Sequence, residues 1–464
     1  MLRSRYDDPW RLGPGHFNNV AAAAFLRNQS NPAVVPAVRH PFLNRRVDHD
    51  SDCLTRSIGD KQSPKRLFAS VPGFPADKGP GLCPETLGTS QQPNSPVEKV
   101  AGEEVPYICS RHSATPMAGN SGRFFFILSG EHPTLPLAEL KAILHAYAID
   151  HKIVGSFYKL IEIEADRAKL ESIASRGAYV DEMGEEILHT EDNLESIKRE
   201  VEFANLEPFL SSEDSFSIRM LRFGGVSKEL SRVHLEGYLG KLLSEKTGAK
   251  VDLRSPKKPF RGILAGSLFH LGLIIHQRPK GSIHRRRPRK RAIFHPSTMP
   301  PKIARCLVNL SEVRDGETFL DPFCGVGGIA IEASLLGCNV IGVDALSRMV
   351  RSARRNLAHF GLNSYGLLRG DARNIPLRSV DAIATDPPYG TGASTLKSTT
   401  RDILASFLPQ AKMILCPGGK VVFASPLGTG AVDLAESQGF KVYDRHELYV
   451  HRSLTREILV LGAN

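Results

Sequence analysis

From residue 297 to 464 the sequence predicts an α/β fold, a doubly wound parallel sheet. Three observations carry that prediction. Apolar strand-like runs alternate with helical runs from residue 318 onward, a glycine-rich loop joins the first such strand to its helix, and aspartates stand where successive strands end. In order, "TFLDPF" reads as a strand and "GGIAIEASLLG" as a helix. "NVIGVD" and "SRMVRSARRNLAHFG" repeat the pair. Next come the strands "YGLLRGD" and "AIATDPP", the helix "TRDILASFLPQAKMIL" and the strand "GKVVFASP". Ahead of them "MPPKIARCLVNL" reads as a helix, with Ser297 as its cap and Pro300 and Pro301 near its first turn.

Residues 119–277 predict a smaller α+β module. "RFFFILSG" is a strand, "LPLAELKAILHAY" a helix, "KIVGSFYKLIEIEA" strand-like and "DRAKLESIASRG" helical. "NLESIKREVEFANLEP" and "LEGYLGKLLSEKTG" are helices flanking the strand "FSIRMLRFG", and "FRGILAGSLFHLGLIIHQ" reads as two strands joined at Ala265-Gly266. Residues 1–118 are rich in Pro, Ser, Asn and Gly without a sustained period, which predicts an extension lacking a packed core. Arg and Ala near the start fit a transit peptide, but Asp7, Asp8, Asp48 and Asp50 oppose it. Met117, just before the first patterned segment, is an expected alternative start.

The 464 residues, 41% of them hydrophobic, suffice for more than one core. No apolar run approaches the roughly 18 residues of a membrane span. The seven cysteines are scattered without a C-x-x-C pair, so neither a structural zinc site nor a disulfide framework is expected, and a reducing cytoplasmic setting fits. The net charge of +11 is concentrated in "RPKGSIHRRRPRKR", residues 278–291, which holds eight Lys/Arg and no acid. Within a basic linker at 278–296, that run reads either as a solvated tether or as a polyanion contact.

The loop "LDPFCGVGGIAIEA" sets Gly325, Gly327 and Gly328 between strand and helix, where only glycine lets a backbone approach a ligand and turn at once into a helix. With Asp344 at the end of the next strand, where a ribose hydroxyl is held, the loop fits NAD and S-adenosylmethionine alike. Two acids favour the latter. Asp321 precedes the loop, where a carboxylate can pair with an amino-acid ammonium, a group NAD lacks. Asp371, followed by Ala372, ends the third strand, placed to accept from an adenine amine. Each acid also has a plain reading as a turn or helix cap.

"DPPY", Asp386-Pro387-Pro388-Tyr389, ends the fourth strand, 15 residues after Asp371. A conjugated base amine is a poor nucleophile because its lone pair is delocalised into the ring. The Asp386 carboxylate and the Pro387 carbonyl can accept its N–H groups and localise that pair, the prolines fix the mount, and Tyr389 offers a ring on which a base stacks. This chemistry calls for no metal.

Asp321-Pro322-Phe323-Cys324-Gly325-x-Gly327-Gly328, Asp344, Gly370-Asp371 and the "DPPY" together resemble the class I S-adenosylmethionine-dependent amino-methyltransferases. "LSGEHPTLPLAELKAIL", "VDLRSPKKPFRGILAG", "FHPSTMPPKIARCLVNL" and "YVHRSLTREILVL" narrow this to a resemblance to the archaeal tRNA guanine-10 N2-methyltransferases, across about 120–464. The resemblance implies a THUMP RNA-binding domain within 119–277, a Rossmann-like methyltransferase over 297–464, and methylation of a tRNA guanosine to m2G or m2,2G. It implies tRNA as partner, held through phosphates by Arg254, Lys257, Lys258 and Arg261 and by Arg285, Arg286 and Arg287 of the basic run. A small activator subunit, as in eukaryotic relatives, and the oligomeric state stay open. For Arg452 and Arg456 the plain reading, ion pairs with Glu447 and Glu457, is preferred, and Cys324 is read as packing. The alternatives are a methyltransferase acting on rRNA guanine-N2 or on DNA adenine-N6 or cytosine-N4, and, in another class, a non-catalytic RNA-binding protein.

Overall fold

A computed structural model describes residues 121–225, 227–363, 366–389 and 398–463. The expectations for residues 1–118, including the start at Met117, lie outside the described residues.

The first sheet is built from β1 (Ser121–Leu128), β2 (His151–Phe157), β3 (Leu160–Asp166), β4 (Val180–Glu191), β5 (Ser215–Arg222), β6 (Lys250–Val251), β7 (Lys258–Ala265) and β8 (Leu268–Gln277). They lie in the order β2-β3-β1-β4-β8-β7-β5-β6. The "FFF" run places Phe124, Phe125 and Phe126 against both faces of this sheet, all buried. The run "FRGILAGSLFHLGLIIHQ" folds as a hairpin, with Gly266 and Ser267 at φ 58° and 66° in the left-handed turn that two-residue hairpins favour.

The central strand β4 was not anticipated. Its acids give it poor strand propensity, yet the sheet supplies their partners. Glu182 is forked by Arg261 at 2.5 and 2.7 Å. His270 Nδ1 lies 2.9 Å from Glu186 and 2.8 Å from Glu162 of β3, and Arg123 flanks Glu186 at 3.5 Å. Burial opposes charge on His270, but hydrogen bonds to Glu162 and Glu186 carry its pKa up to about 9. Burial would likewise raise Glu186, but hydrogen bonds to His189 and His270 hold it below the usual carboxylate range.

The second sheet contains β9 (Thr318–Asp321), β10 (Asn339–Asp344), β11 (Gly366–Arg369), β12 (Val380–Thr385), β13 (Leu415–Pro426), β14 (Phe440–His451) and β15 (Leu454–Ala463), ordered β11-β10-β9-β12-β13-β15-β14. The first five of these, as ordered, are parallel, as expected. β15 runs antiparallel between β13 and β14, so the sheet is mixed. The helix expected after Ser297 spans Pro301–Leu310 and begins without a side-chain cap, while Ser297 bonds the His295 ring at 2.7 Å.

One core joins both sheets. Leu135, Ala178 and Tyr179 pack with Leu307, Val308 and Val313. There the buried Glu139 accepts from the Ala178 and Tyr179 amides at 2.8 and 2.7 Å and from Asn309 Nδ2 at 2.7 Å. His132 reaches the Glu447 carbonyl at 2.9 Å. Among the described residues no helix is long and apolar enough to cross a membrane.

Candidate active site

Parallel pairing puts the C-terminal ends of β11, β10, β9 and β12 on one edge. An aspartate stands at the end of each, in the spatial order Asp371, Asp344, Asp321, Asp386. Chain order runs outward from β9 to β11 and then jumps to β12, so the topological switch point falls between Asp321 and Asp386. Open α/β sheets bind ligands at that crevice.

The glycine loop occupies the same edge. Gly325 and Gly327 have φ 51° and 84°, in the left-handed region, and Gly327 caps the helix Gly328–Leu335. A side chain at Gly325 would meet open space, so the loop has room above it. Asp344 holds the loop by accepting the Gly325 amide at 3.0 Å and the Leu346 amide at 2.8 Å. Burial raises its pKa, and those amides oppose the rise.

Asp321 is 1% exposed. It accepts the Thr385 hydroxyl at 2.7 Å and the Phe323 amide at 3.3 Å. Burial nevertheless pushes its pKa up to about 7, and no cation is paired with it among the described residues. A buried carboxylate short of counter-charge, beside an open glycine loop, fits the ammonium of an amino-acid-bearing cofactor. Asp371 differs, because Arg373 forks its exposed carboxylate at 2.6–3.0 Å and lowers its pKa. Ala372 beside it is buried. Cys324 is buried, and burial keeps its thiol protonated, consistent with packing.

Asp386 keeps 16% of its side chain accessible, half-buried and reachable. Burial lifts its pKa to about 7, against the opposing pull of Arg456. Tyr389 donates its hydroxyl to Oδ1 and Arg456 Nη2 lies 3.1 Å from Oδ2. The same guanidinium lies over the Tyr389 ring, 5.4 Å from its centroid. Pro387 is buried, and the Pro388 carbonyl accepts from Thr400 at 3.3 Å. The preferred pairing of Arg456 with Glu447 or Glu457 is therefore corrected, since Glu457 is held by Arg445 at 2.7 Å. Thr385 and Arg456 are the site residues that sequence reasoning missed.

Of the phosphate candidates, Arg254, Lys257, Arg285 and Arg287 are exposed and Lys258 half-buried. Lys257 and Lys258 line a surface hollow of about 360 Å³ with Arg167 and His276. Two candidates are otherwise engaged. Arg261 is buried in its fork with Glu182, and Arg286 forks the buried Glu332 at 2.7 and 2.8 Å. The basic run is thus partly packed onto the second sheet's helices and is no free tether. Arg291, at its end, is itself buried.

The strand order, with its reversed β15, and the edge of glycine loop and four aspartates define a class I S-adenosylmethionine-dependent methyltransferase. Residues 288–458 match the family described as "UPF0020: RMKL-like, methyltransferase domain". The chain is 38% identical over 339 residues to the tRNA (guanine(10)-N2)-dimethyltransferase of Methanothermobacter thermautotrophicus, covering 72% of this chain and 98% of that one. It is 31% identical over 362 residues to the Methanocaldococcus jannaschii protein of the same name, with the same coverage. It is 32% identical over 240 residues to the tRNA (guanine(6)-N2)-methyltransferase of Thermus thermophilus, covering 51% of this chain and 69% of that one. The chain belongs to the tRNA (guanine(10)-N2)-dimethyltransferase family.

Proposed function

We propose that this chain methylates the exocyclic N2 of a guanosine in tRNA, at position 10, adding one methyl and then a second. The observation that carries the reading is Asp386 at the switch point, half-buried and reachable, beside the open glycine loop. Position and methyl count follow the names of the archaeal relatives.

S-adenosylmethionine supplies a methyl group on a positively charged sulfur that departs as a neutral thioether. Asp321 would hold its ammonium, Asp344 its ribose, the loop at Gly325 and Gly327 its backbone-facing side, and Asp371 with Ala372 its adenine end. At the guanine, Asp386 and the Pro387 carbonyl accept the N2 hydrogens, so the amine lone pair points away from the ring system. The pair so aimed would take up the methyl that S-adenosylmethionine supplies, and one proton would leave the alkylated amine toward Asp386 and water. A carboxylate with a pKa near 7 suits that acceptance. One N–H survives the first transfer, which permits the second.

We place 119–277 as the tRNA-holding module with its THUMP domain, 278–296 as a basic connector, and 297–464 as the methyltransferase domain. Lys257, Lys258 and Arg254 are the proposed phosphate contacts, with Arg285 and Arg287 on the connector. The cytoplasm, reducing and rich in tRNA, is the proposed location, and the free Cys306, Cys324, Cys338 and Cys416 suit it. A small activator subunit is the remaining candidate partner, and adding cell extract to the purified chain tests for it by a rise in turnover.

The test of the function is nucleoside mass spectrometry of tRNA from cells with and without the gene. Loss of m2G and m2,2G at position 10 is expected. An unchanged tRNA profile contradicts the reading, and lost methylation of DNA or rRNA favours the alternative substrates.

A further inference from the structure

We propose that Arg456 is a positioning residue for the methyl transfer: from β15 it fixes one oxygen of Asp386 and the ring of Tyr389, so that an incoming base amine enters by replacing the Tyr389 hydroxyl at the other oxygen. The inference rests on the reading of Asp386 as the amine acceptor.

In this structure both carboxylate oxygens already have partners, Oδ1 the Tyr389 hydroxyl and Oδ2 the Arg456 guanidinium. An amine donating to Asp386 competes with these two contacts for the lone pairs of the carboxylate. The two contacts differ in cost. Tyr389 makes a neutral hydroxyl contact from a half-buried ring and has water as an alternative partner. Arg456 is 7% exposed, and its Nε has no hydrogen-bond partner among the described residues. Withdrawing it would strand a buried cation and a half-buried carboxylate together. Tyr389 therefore moves and Arg456 stays.

Arg456 is well mounted for this. It pairs with Pro426 of β13 in the antiparallel ladder, one strand beyond the parallel set, so its backbone is set by the sheet. The side chain reaches the loop after β12, and its guanidinium lies over the Tyr389 ring. Titratable and charged groups facing Asp386 are Arg456, Tyr389 on its own loop, and Asp321 at the end of β9. Of these only Arg456 favours the ionised carboxylate by charge, and Asp321 opposes it. Burial raises Asp386 toward about 7 in spite of Arg456, so its removal raises the pKa further.

The test is single-turnover methyl transfer across pH, with tRNA affinity measured separately, for Arg456→Met and Arg456→Lys. Arg456→Met is expected to lower the transfer rate about 100-fold, as a misaimed reacting group does. Its tRNA Kd should stay within about twofold, and the acidic limb of its pH profile should move to higher pH. Arg456→Lys should return the limb to its wild-type position while the rate remains several-fold low, because an ammonium restores the charge without the guanidinium's reach from the carboxylate to the Tyr389 ring. An unchanged rate and limb in Arg456→Met overturns the proposal, as does a loss confined to tRNA affinity, which would make Arg456 an RNA contact. If Arg456→Met does not fold, the lysine variant decides, and an acidic limb displaced from wild type counts against us. Asp386→Asn separates the two levels. Full activity there removes the underlying reading, whereas an inactive Asp386→Asn beside a fully active Arg456→Met removes only the role of Arg456.

Discussion

In the first sheet, shielded carboxylates meet matched cationic partners: Glu182 meets Arg261, and Glu186 and Glu162 meet His270. At the edge of the second sheet the provision is thinner. Asp321 has a hydroxyl and one amide, Asp386 a tyrosine and one arginine, and burial carries both to about 7. Matched buried charge holds strands in register and has little left to offer a ligand. Under-matched buried charge at a switch point is strained toward whatever cation or N–H donor arrives, which is how functional sites are recognised physically.

The contrast breaks first at Asp386. Asp386→Asn should lower the transfer rate about 100- to 1,000-fold with tRNA affinity retained, measured by rapid quench and filter binding. A loss of affinity without loss of rate would reassign the residue to RNA binding. In the wild type, the raised pKa values of Asp386 and Asp321 mean protonated, inactive carboxylates below about pH 7. Transfer from kcat/KM should therefore climb with pH up to about 7 and level above it. A profile already flat at pH 5 contradicts the assignment.

The matched side breaks differently. His270→Leu leaves Glu162 and Glu186 buried without their shared cation and should cost about 3–5 kcal/mol in denaturant unfolding, with the rate of the folded fraction intact. Because the folded pKa of His270 is raised to about 9, its contribution is present in full below the unfolded value near 6.5 and lost as pH rises through about 9. Stability that stays level across that alkaline range would mean the imidazolium is not the link. The smallest effect belongs to the surface. Lys257→Ala with Lys258→Ala should raise KM for tRNA a few-fold and flatten the salt dependence of binding by about two counterions, with the transfer rate unchanged.

How far each feature was legible follows from the range of the signal. Asp321, Asp344, Asp371 and Asp386 each close an apolar run, so their strand-end positions were readable locally, as were Gly325 and Gly327. β4 was hidden because Asp181, Glu182, Glu185 and Glu186 look solvated until Arg261, Arg278, Arg167 and His270 arrive from elsewhere in the chain. Arg456 was hidden for a similar reason. It sits 70 residues from Asp386, on a strand whose reversal between β13 and β14 no local pattern announces, and two nearer glutamates offered a simpler pairing. Arg261 and Arg286 looked like phosphate contacts because sequence shows a charge and not the carboxylate buried beneath it.

The central claim, that the acceptor is a guanine amine presented to Asp386, is tested most directly by replacing guanosine 10 of the substrate tRNA with inosine, which lacks the N2 amine and keeps the rest of the base. We expect labelled methyl transfer to the guanosine tRNA and none to the inosine tRNA, with both bound equally well. Equal transfer to the two would contradict the account.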